Sequence, residues 1–338
     1  MISILCKIRD SRAPLLALVT LLLIGAPVRA STDLDPKLRL GGVAWAKATY
    51  AFDEDTMRVP DLDLYRVQLW GSSKLGDKWS GYFRMHASTA PGVLSAYNRS
   101  GSIFVYQAYI NRRQLLNTKD TLTIGVYTNA FLRDLYRLHG TRFIARLLGQ
   151  RAGFVTPTPM GVRYEYSTPT LNTSVTVDQT ATTPEAPSSH LLGASSSIHW
   201  RPASSWLLSS HVAYRYQNRT SETARPSESV FASTLSYDTT RLALSVEAVG
   251  RRTEGTSPTL ELGAGLLTRF RLYEKVHLFG QVTSGNQAFQ NTLGAKLNWR
   301  AGPLLRLDEG LQVALVLDSE EARETSRFTL SLAAAKLF

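Results

Sequence analysis

Hydrophobic and polar residues alternate with a period of two along most of the chain, which is the pattern of β-strands with two unlike faces. Between residues 79 and 87, Trp79, Phe83 and Met85 fall on one face, while Tyr82 and Arg84 fall on the other. The same alternation gives apolar faces made of Phe104, Tyr106, Ala108 and Ile110; Leu122, Ile124 and Val126; Trp206, Leu208, Val212, Tyr214 and Tyr216; Leu242, Leu244, Val246 and Ala248; Val276, Leu278, Gly280 and Val282; and Leu293, Ala295, Leu297 and Trp299. The pattern predicts an all-β protein.

The connections between these segments alternate between short and long. Short connections with turn-forming residues lie at 73–77, 117–120, 168–170, 201–204, 238–240 and 273–275, and longer polar ones lie at 53–60, 91–101, 179–189, 218–227, 251–258 and 319–325. Short turns at one end and longer loops at the other are typical of transmembrane up-and-down antiparallel β-barrels. The count is about 16 strands, an even number, whereas a soluble β-sandwich rarely needs so many strands in one domain.

The hydropathy of the chain fits a barrel as well as a soluble protein. Hydrophobic residues make up 43% of the sequence and the mean hydropathy is −0.12. Transmembrane barrels reach such values because only every second strand residue meets lipid. After Gly25 no apolar run approaches the roughly 20 residues of a membrane helix. Without a linker or a break in composition, residues 31–338 are predicted to form one barrel domain.

The first 30 residues have the layout of a secretory signal peptide. Lys7, Arg9 and Arg12 precede an apolar run from Ala13 to Gly25, and small residues precede Ser31. The alternative is an uncleaved membrane anchor, for which the apolar run of about a dozen residues is short. Cleavage before Ser31 would remove Cys6, the one cysteine, so the mature chain is predicted to have no disulfide.

The last strand ends in Lys336-Leu337-Phe338 after an alternating stretch that begins at Phe328. A terminal Phe closing such a strand resembles the C-terminal signature of bacterial outer-membrane β-barrels, which their assembly machinery reads. Lys336 departs from the signature, because an apolar or aromatic residue is usual on the face of Phe338. The resemblance implies a location in the outer membrane, with its lipid and lipopolysaccharide and the assembly machinery as partners.

One connection, of about 30 residues between Thr128 and Gly161, is much longer than the others. Connections of this length are usually functional. Apolar residues at three- and four-residue spacing predict short helical turns broken at Gly140. Its charges are mainly positive, with Asp134 as the local exception, and the candidate residues are Arg133, Arg137, Arg142 and Arg146.

At this point the chain resembles a bacterial porin of the general or phosphate-selective type. In sixteen-stranded general porins the third external loop, between the fifth and sixth strands, folds into the barrel and narrows it. The long connection lies at that place in the strand count, and the stretch 140–164 resembles the corresponding region of such proteins. The acidic Pro-Glu-Phe-Gly-Gly motif of cation-preferring porins is absent. The resemblance implies a water-filled channel, no cofactor and a homotrimer.

Arginine and lysine residues in a narrow, wet channel favour anions. The predicted constriction combines the four loop arginines with inward positions on early strands, namely Lys47, Arg66 and Arg84. The alternative is that the arginines pair with Glu165, Glu247 and Glu261, or bind lipopolysaccharide phosphates outside. The formal charge of +11 falls to +8 once the +3 of the signal segment is removed, since four basic residues and Asp10 leave with it. Small anionic or polar solutes are therefore the predicted cargo.

Other function classes find less support in the sequence. The arginines are spread over alternating strands without a nucleic-acid-binding module, so nucleic acid is not a predicted partner. The same-face pairs His86 with Ser88, Ser197 with His199 and Ser209 with His211 occur often on polar strand faces, so no enzyme activity is predicted. No histidine spacing indicates a metal site. A barrel with a plugged lumen, whose external loops bind a partner, is the alternative to a diffusion channel.

Aromatic residues near the predicted strand ends have two interpretations. Trp and Tyr at these positions anchor a barrel at the membrane interface. The predicted anchors are Trp45, Tyr50, Trp79, Trp200, Trp206, Tyr237, Trp299 and Phe338. A sugar-binding ramp is the second interpretation, and it would need Tyr82, Tyr109 and Tyr127 to align with further aromatic residues in the lumen.

Overall fold

The computed structural model describes residues 38–53, 56–57, 61–88, 102–139, 146–181, 190–217, 227–254, 258–293, 296–307, 311–321 and 326–337. The predicted signal peptide, residues 1–30, and Phe338 lie outside these ranges. Both therefore stay predictions.

The described residues form 17 strands, of which β2 has only two residues, β6 has seven and β7 has eight. The other strands have the roughly 9–11 residues or more that a transmembrane β-strand needs. In chain order they are β1 Leu38–Asp53, β2 Thr56–Met57, β3 Asp61–Lys74, β4 Trp79–Ser88, β5 Ser102–Arg113, β6 Asp120–Val126, β7 Met160–Ser167, β8 Leu171–Ala181, β9 His190–Ala203, β10 Trp206–Gln217, β11 Glu228–Asp238, β12 Leu242–Thr253, β13 Thr259–Arg271, β14 Val276–Gly285, β15 Leu297–Arg306, β16 Leu311–Glu321 and β17 Ser326–Leu337.

Each long strand pairs antiparallel with its neighbours in sequence, and β1 closes the sheet by pairing with β17. In this closing register Lys47 lies opposite Ala333. Short turns and longer connections alternate around the ring, as the sequence predicts. The prediction of an antiparallel up-and-down barrel with 16 long strands is confirmed.

The two faces of the sheet differ in chemistry along every well-described strand. Large apolar side chains are exposed on the outside, with Val105 at 62% and Leu192 at 60%. Polar side chains point inward and are buried, for example Thr123, Ser209 and Ser236. An apolar outside and a polar inside are what a barrel needs when lipid surrounds it and water enters its lumen.

Three outward predictions are wrong, each for a local reason. A bulge opposite Arg84 and Met85 gives the outward position to Val105, and Tyr106 instead makes an edge-to-face contact with His86 at 5.5 Å. Leu293 belongs to a helix and not to a strand, because β15 begins only at Leu297. Trp45 pairs with Ala335 on the inner side of β17, so it is no interface anchor.

Other predicted anchors do lie at the outer surface beside the short turns. Trp79, Trp200 and Trp206 are all exposed on the outer face. The Trp206 ring contacts the Tyr237 ring at 4.9 Å between centroids. These rings are placed where a membrane interface accepts amphipathic side chains.

Three helices interrupt the longer connections. Helices α1 Ala130–His139 and α2 Leu148–Arg151 lie between β6 and β7, the fifth and sixth long strands, and α3 Gln287–Leu293 lies between β14 and β15. None of the helices in the described ranges is long and apolar enough to span a bilayer. Helix α1 contacts β9 and β10, α2 contacts β12 and β13, and α3 contacts β13 and β14.

Candidate functional site in the barrel lumen

Helix α1 begins at a capping asparagine and turns its apolar side toward the inner wall. The Asn129 side chain accepts a hydrogen bond from the Phe131 backbone N–H at 3.0 Å, a standard start for a helix. Phe131, Leu132 and Leu135 are buried, and the Phe131 ring lies 5.6 Å from the ring of His211. The first described part of the connection between β6 and β7, up to residue 139, therefore lies against the polar inner face of the barrel.

Arg133 ties α1 to β7, two strands away from β9. Its two terminal nitrogens donate to the two carboxylate oxygens of Glu165 at 2.8 and 3.0 Å, and its Nε donates to Asp134 at 2.9 Å. Burial by itself would lower the pKa of Arg133. The hydrogen bonds and charges of Glu165 and Asp134 outweigh burial and raise the pKa above its ordinary value, so the guanidinium stays charged. The forked geometry fixes the direction of the side chain.

The second half of the connection is held by polar contacts with the far wall. The Leu148 backbone N–H donates to Glu247 on β12 at 2.5 Å, and Gln281 on β14 donates to the carbonyl of Arg146 at 2.7 Å. The Arg151 side chain donates to Asn298 on β15. Arg215 on β10 donates to the carbonyl of Phe154. Backbone groups of an irregular segment are thus satisfied by inward side chains, as a buried segment requires.

An apolar cluster fills the space between the connection and this wall. Phe154, Leu147 and Leu148 are fully buried, and Phe289 of α3 meets Phe154 edge to face at 5.7 Å. The wall contributes small and medium-sized side chains on β10 to β17, including Leu207, Ala232, Val249, Leu267, Leu304, Ala314 and Ala333. This cluster could not be predicted from the sequence, because alternation alone predicts an inner face that is polar throughout.

The wall formed by β3 to β5 has a different surface. Tyr82 and Tyr109 are directly paired across β4 and β5 and stack at 4.9 Å, and Trp70 stacks on Tyr82 at 6.5 Å. Arg84 donates to the Tyr82 hydroxyl at 2.8 Å, and its guanidinium lies 5.5 Å from the Tyr82 ring centroid. Trp70 supplies the aligned aromatic residue that a lumenal ramp requires.

The structure brings together some of the predicted constriction residues. Arg133 and Arg84 both lie within electrostatic range of Tyr109, together with Arg163. Arg146 lies on the other side of the lumen, where its carbonyl meets Gln281. Arg142 lies outside the described residues, as do the side chains of Arg137, Lys47 and Arg66.

A cavity of about 340 Å³ opens next to Arg133 at the short-turn end of the barrel. Charged and polar groups dominate its lining, which includes Arg133, Asp134, Glu165, Asn172, His199 and Arg201. The Arg133–Glu165 pair therefore borders open space on one side. A solute or ion that reaches this end of the lumen would meet charges of both signs.

Several inward arginines form ion pairs with acidic residues, and the sequence alone does not show how many of them do. Ion pairs join Arg215 to Glu228 at 2.6 Å, Arg251 to Glu261 at 2.9 Å, and Arg300 to Asp318 at 2.9 Å. Alternation places all of these residues on the inner face, but the register between strands decides which of them meet. The pairing of arginines with Glu165 and Glu261 agrees with the alternative that the sequence leaves open. Glu247 instead accepts a backbone N–H, from Leu148.

Serine and histidine residues pair between strands and not along them. Ser197 lies 2.8 Å from His211, and Ser209 lies 2.8 Å from His199 across β9 and β10. Asp134 is 4.0 Å from the other nitrogen of His199. Ser209 is completely buried on β10, one of the strands that α1 contacts. Among the described residues, no group of three or more His, Cys, Asp or Glu is placed to hold a metal ion.

The barrel is similar to solved structures of outer-membrane proteins, while neither a protein-family model nor a curated protein matches the chain. OmpF of Salmonella typhi in complex with daunomycin has a TM-score of 0.65 and 9% identity, covering 88% of this chain and 97% of that one. An anion-selective porin from Comamonas acidovorans has a TM-score of 0.64 and 11% identity, covering 89% and 99%. OmpT of Vibrio cholerae in a trimer form has a TM-score of 0.62 and 10% identity, covering 89% and 100%. These likenesses show that the chain has the porin fold.

Proposed function

We propose that the protein is an outer-membrane porin, a water-filled channel for passive diffusion of small hydrophilic solutes. The observation that carries the proposal is the division of the barrel into an apolar outside and a charged, polar inside, with one long connection lying along the inner wall. A closed 16-stranded barrel is wide enough to leave an aqueous channel. A connection that covers part of the wall narrows the channel without closing it.

We further propose that the channel prefers anions. On the side of the lumen near Tyr109, three arginines, Arg84, Arg133 and Arg163, face two acids, Asp134 and Glu165. Arg133 and Arg163 pair with these acids, whereas no acid in the described part of the chain forms an ion pair with Arg84. We assign the preference to these arginines together with the rest of the predicted set, Arg137, Arg142, Arg146, Lys47 and Arg66. Rings of arginine and lysine favour anions in a narrow aqueous pore.

Charge reversal in the connection tests this assignment. The triple variant Arg137→Glu/Arg142→Glu/Arg146→Glu should shift the reversal potential in a KCl gradient from the chloride side toward the potassium side. A matched control reverses three exposed lysines at the short turns, Lys74, Lys78 and Lys119. The control should change the reversal potential little, because charges at a wide, wet mouth are screened within roughly 8–10 Å. Equal shifts in both variants would contradict a role for the connection.

A plugged barrel is the second candidate, and the apolar cluster favours it. Leu148, Phe154 and Phe289 pack between the connection and β10 to β17, as a plug would. In that case the external loops would bind a partner and no solute would pass. The cluster covers one side of the lumen, whereas the wall at Tyr82 and Arg84 has partly exposed polar groups, so we favour the channel.

The remaining assignments follow from the porin fold and from the sequence. We propose export through a cleaved signal peptide, insertion by the outer-membrane assembly machinery through the signal at Phe338, and contact with lipid and lipopolysaccharide. We expect a homotrimer and no enzymatic activity. A folded trimer should migrate on gels as one heat-sensitive band near three times the monomer mass, and a monomer at every detergent concentration would contradict it.

A further inference from the structure

The inner wall has two unlike halves, and the helices in the described part of the chain pack mainly on one of them. Helices α1, α2 and α3 contact strands between β9 and β14 and bury the apolar cluster there. On the other half, Trp70, Tyr82 and Tyr109 stand in one row on β3, β4 and β5. Their side chains are partly exposed, so the row borders the remaining lumen.

The row is built as a continuous aromatic surface. The interplanar angles are 15° between Trp70 and Tyr82 and 22° between Tyr82 and Tyr109, so the three rings are nearly parallel. A glycine makes room for the first ring, because a Cβ at Gly41 would lie 2.3 Å from an atom of the Trp70 ring. Aromatic rings aligned in this way offer contacts to flat or ring-shaped molecules.

At its β5 end the row lies next to a glycine instead of a larger residue. Tyr109 pairs directly with Gly125 on β6, and Gly125 pairs with Gly161 on β7. Within the described residues, Tyr82 is the one aromatic ring that stacks on Tyr109. The face of Tyr109 toward β6 therefore meets no side chain from its direct neighbour.

Arg84 adds a charge to this surface. Its Nε is used by the Tyr82 hydroxyl, and the guanidinium is partly exposed. No acidic residue in the described ranges forms an ion pair with it. The terminal N–H groups of such an arginine can bind a carboxylate in a forked manner.

We infer that Trp70, Tyr82, Tyr109 and Arg84 form a binding subsite in the lumen for small carboxylates that carry a ring. The ring of the solute would extend the aromatic row beyond Tyr109, and its carboxylate would bind the guanidinium groups beside the row. Aromatic acids and sugar acids share this chemistry. The inference deepens the proposed channel function and rests on it, because a solute must enter the lumen to reach the row.

Current block in planar bilayers tests the subsite. Benzoate and glucuronate carry a ring and a carboxylate, acetate lacks the ring, and methyl glucoside lacks the charge. We expect benzoate, glucuronate or both to block the current at concentrations about tenfold below those of acetate and methyl glucoside, as about 1.4 kcal/mol of added contact requires. Which of the two acids blocks more strongly identifies the preferred ring.

Variants of the subsite separate the contribution of its aromatic rings to binding from the contribution of the Arg84 charge. Tyr82→Ala/Tyr109→Ala should remove the advantage of the ring-bearing acids, and Tyr82→Phe/Tyr109→Phe should keep most of it. Arg84→Gln should lower the affinity for benzoate to near that of neutral rings. The matched control Tyr214→Ala/Tyr216→Ala removes two tyrosines from the outer face, which are 45% and 49% exposed, and should leave the block unchanged. Heat-dependent migration on gels verifies that each variant has folded.

The outcomes distinguish the subsite from the channel. Stable currents with equal block by acetate and benzoate would overturn the subsite and leave the porin proposal standing. A silent but folded barrel would overturn the porin proposal, and binding would then be read from tryptophan fluorescence in detergent. Saturable quenching by benzoate that is lost in Trp70→Phe would support the subsite, and its absence would overturn it.

Discussion

Arg133 on α1 and Glu165 on β7 are joined by two parallel hydrogen bonds of 2.8 and 3.0 Å, although 32 residues separate them in the chain. The pair joins the long connection to β7, whereas the contacts of Leu148 and Arg151 join it to β12 and β15. Asn172 on β8 also donates to Glu165, at 3.1 Å, which fixes the carboxylate. The connection is therefore held from two sides of the lumen.

Removing this pair should loosen the connection without unfolding the barrel. Arg133→Ala leaves Glu165 without its forked partner, and hydrogen bonds to charged groups contribute about 1.5–3 kcal/mol each. We expect trypsin to cleave the folded protein after Arg137 or Arg142 about tenfold faster, since cleavage follows local opening. The cleavage sites are identified by mass spectrometry.

The control variant removes a charged hydrogen-bonding side chain at a short turn, away from the long connection. Asp120 accepts three backbone N–H groups in the turn 114–119, and Asp120→Ala removes them. Cleavage in the long connection should stay at the wild-type rate in this variant. A rate that rises equally in both variants would mean that the Arg133–Glu165 pair does not hold the connection.

The apolar cluster should contribute to the stability of the barrel through Phe289. The side chain is completely buried and packs on Phe154. Phe289→Ala should lower the free energy of unfolding by about 3–5 kcal/mol, the usual cost of emptying a buried phenylalanine site. The measurement is urea unfolding followed by circular dichroism. The outer-face variant Phe270→Leu should cost much less, and equal losses would show that Phe289 is not part of a packed core.

Gly125 should be intolerant of any side chain. Its φ of 126° is unfavourable for L-residues, and a Cβ there would lie 2.2 Å from the Ala108 carbonyl oxygen. Gly125→Ala should reduce the yield of heat-modifiable, folded barrel several-fold in refolding trials. Gly81→Ala is the control, because the nearest atom to its Cβ would be a leucine methyl at 3.5 Å. Equal yields would contradict the close approach of β5 and β6.

The barrel could be predicted from the sequence because alternation and connection length are local signals. The period of two alone predicts that the side chains of four residues point into the lumen, and the structure confirms this for all of them: Tyr82, Arg84, Ser209 and His211. A bulge adds one residue and shifts the faces, so Tyr106 could not be placed correctly from its parity. The predictions of a lumenal Lys47 and an interfacial Trp45 exclude each other, because strand geometry puts residues two apart on one face.

The arrangement of side chains in the lumen depends on contacts between segments that are distant in the chain. Local sequence patterns do not predict such contacts. The pairing of Arg133 with Glu165 requires both the path of the connection and the register of β7. Helix α3 was not predicted, because its last residue, Leu293, continues the alternating pattern of Ala295, Leu297 and Trp299 into β15. The Asn286 side chain, which accepts the Phe289 N–H at 3.0 Å, is the local signal that could have indicated a helix start.

Single-channel recording of the wild-type protein in planar bilayers tests the central claim most directly. The folded barrel is inserted from detergent, and current is recorded first in symmetric KCl and then across a KCl gradient. A water-filled lumen with excess positive charge predicts stepwise, ohmic conductance and a reversal potential with the sign of chloride permeation. Silence after verified folding and insertion would contradict the channel, and a reversal potential on the potassium side would contradict its anion preference.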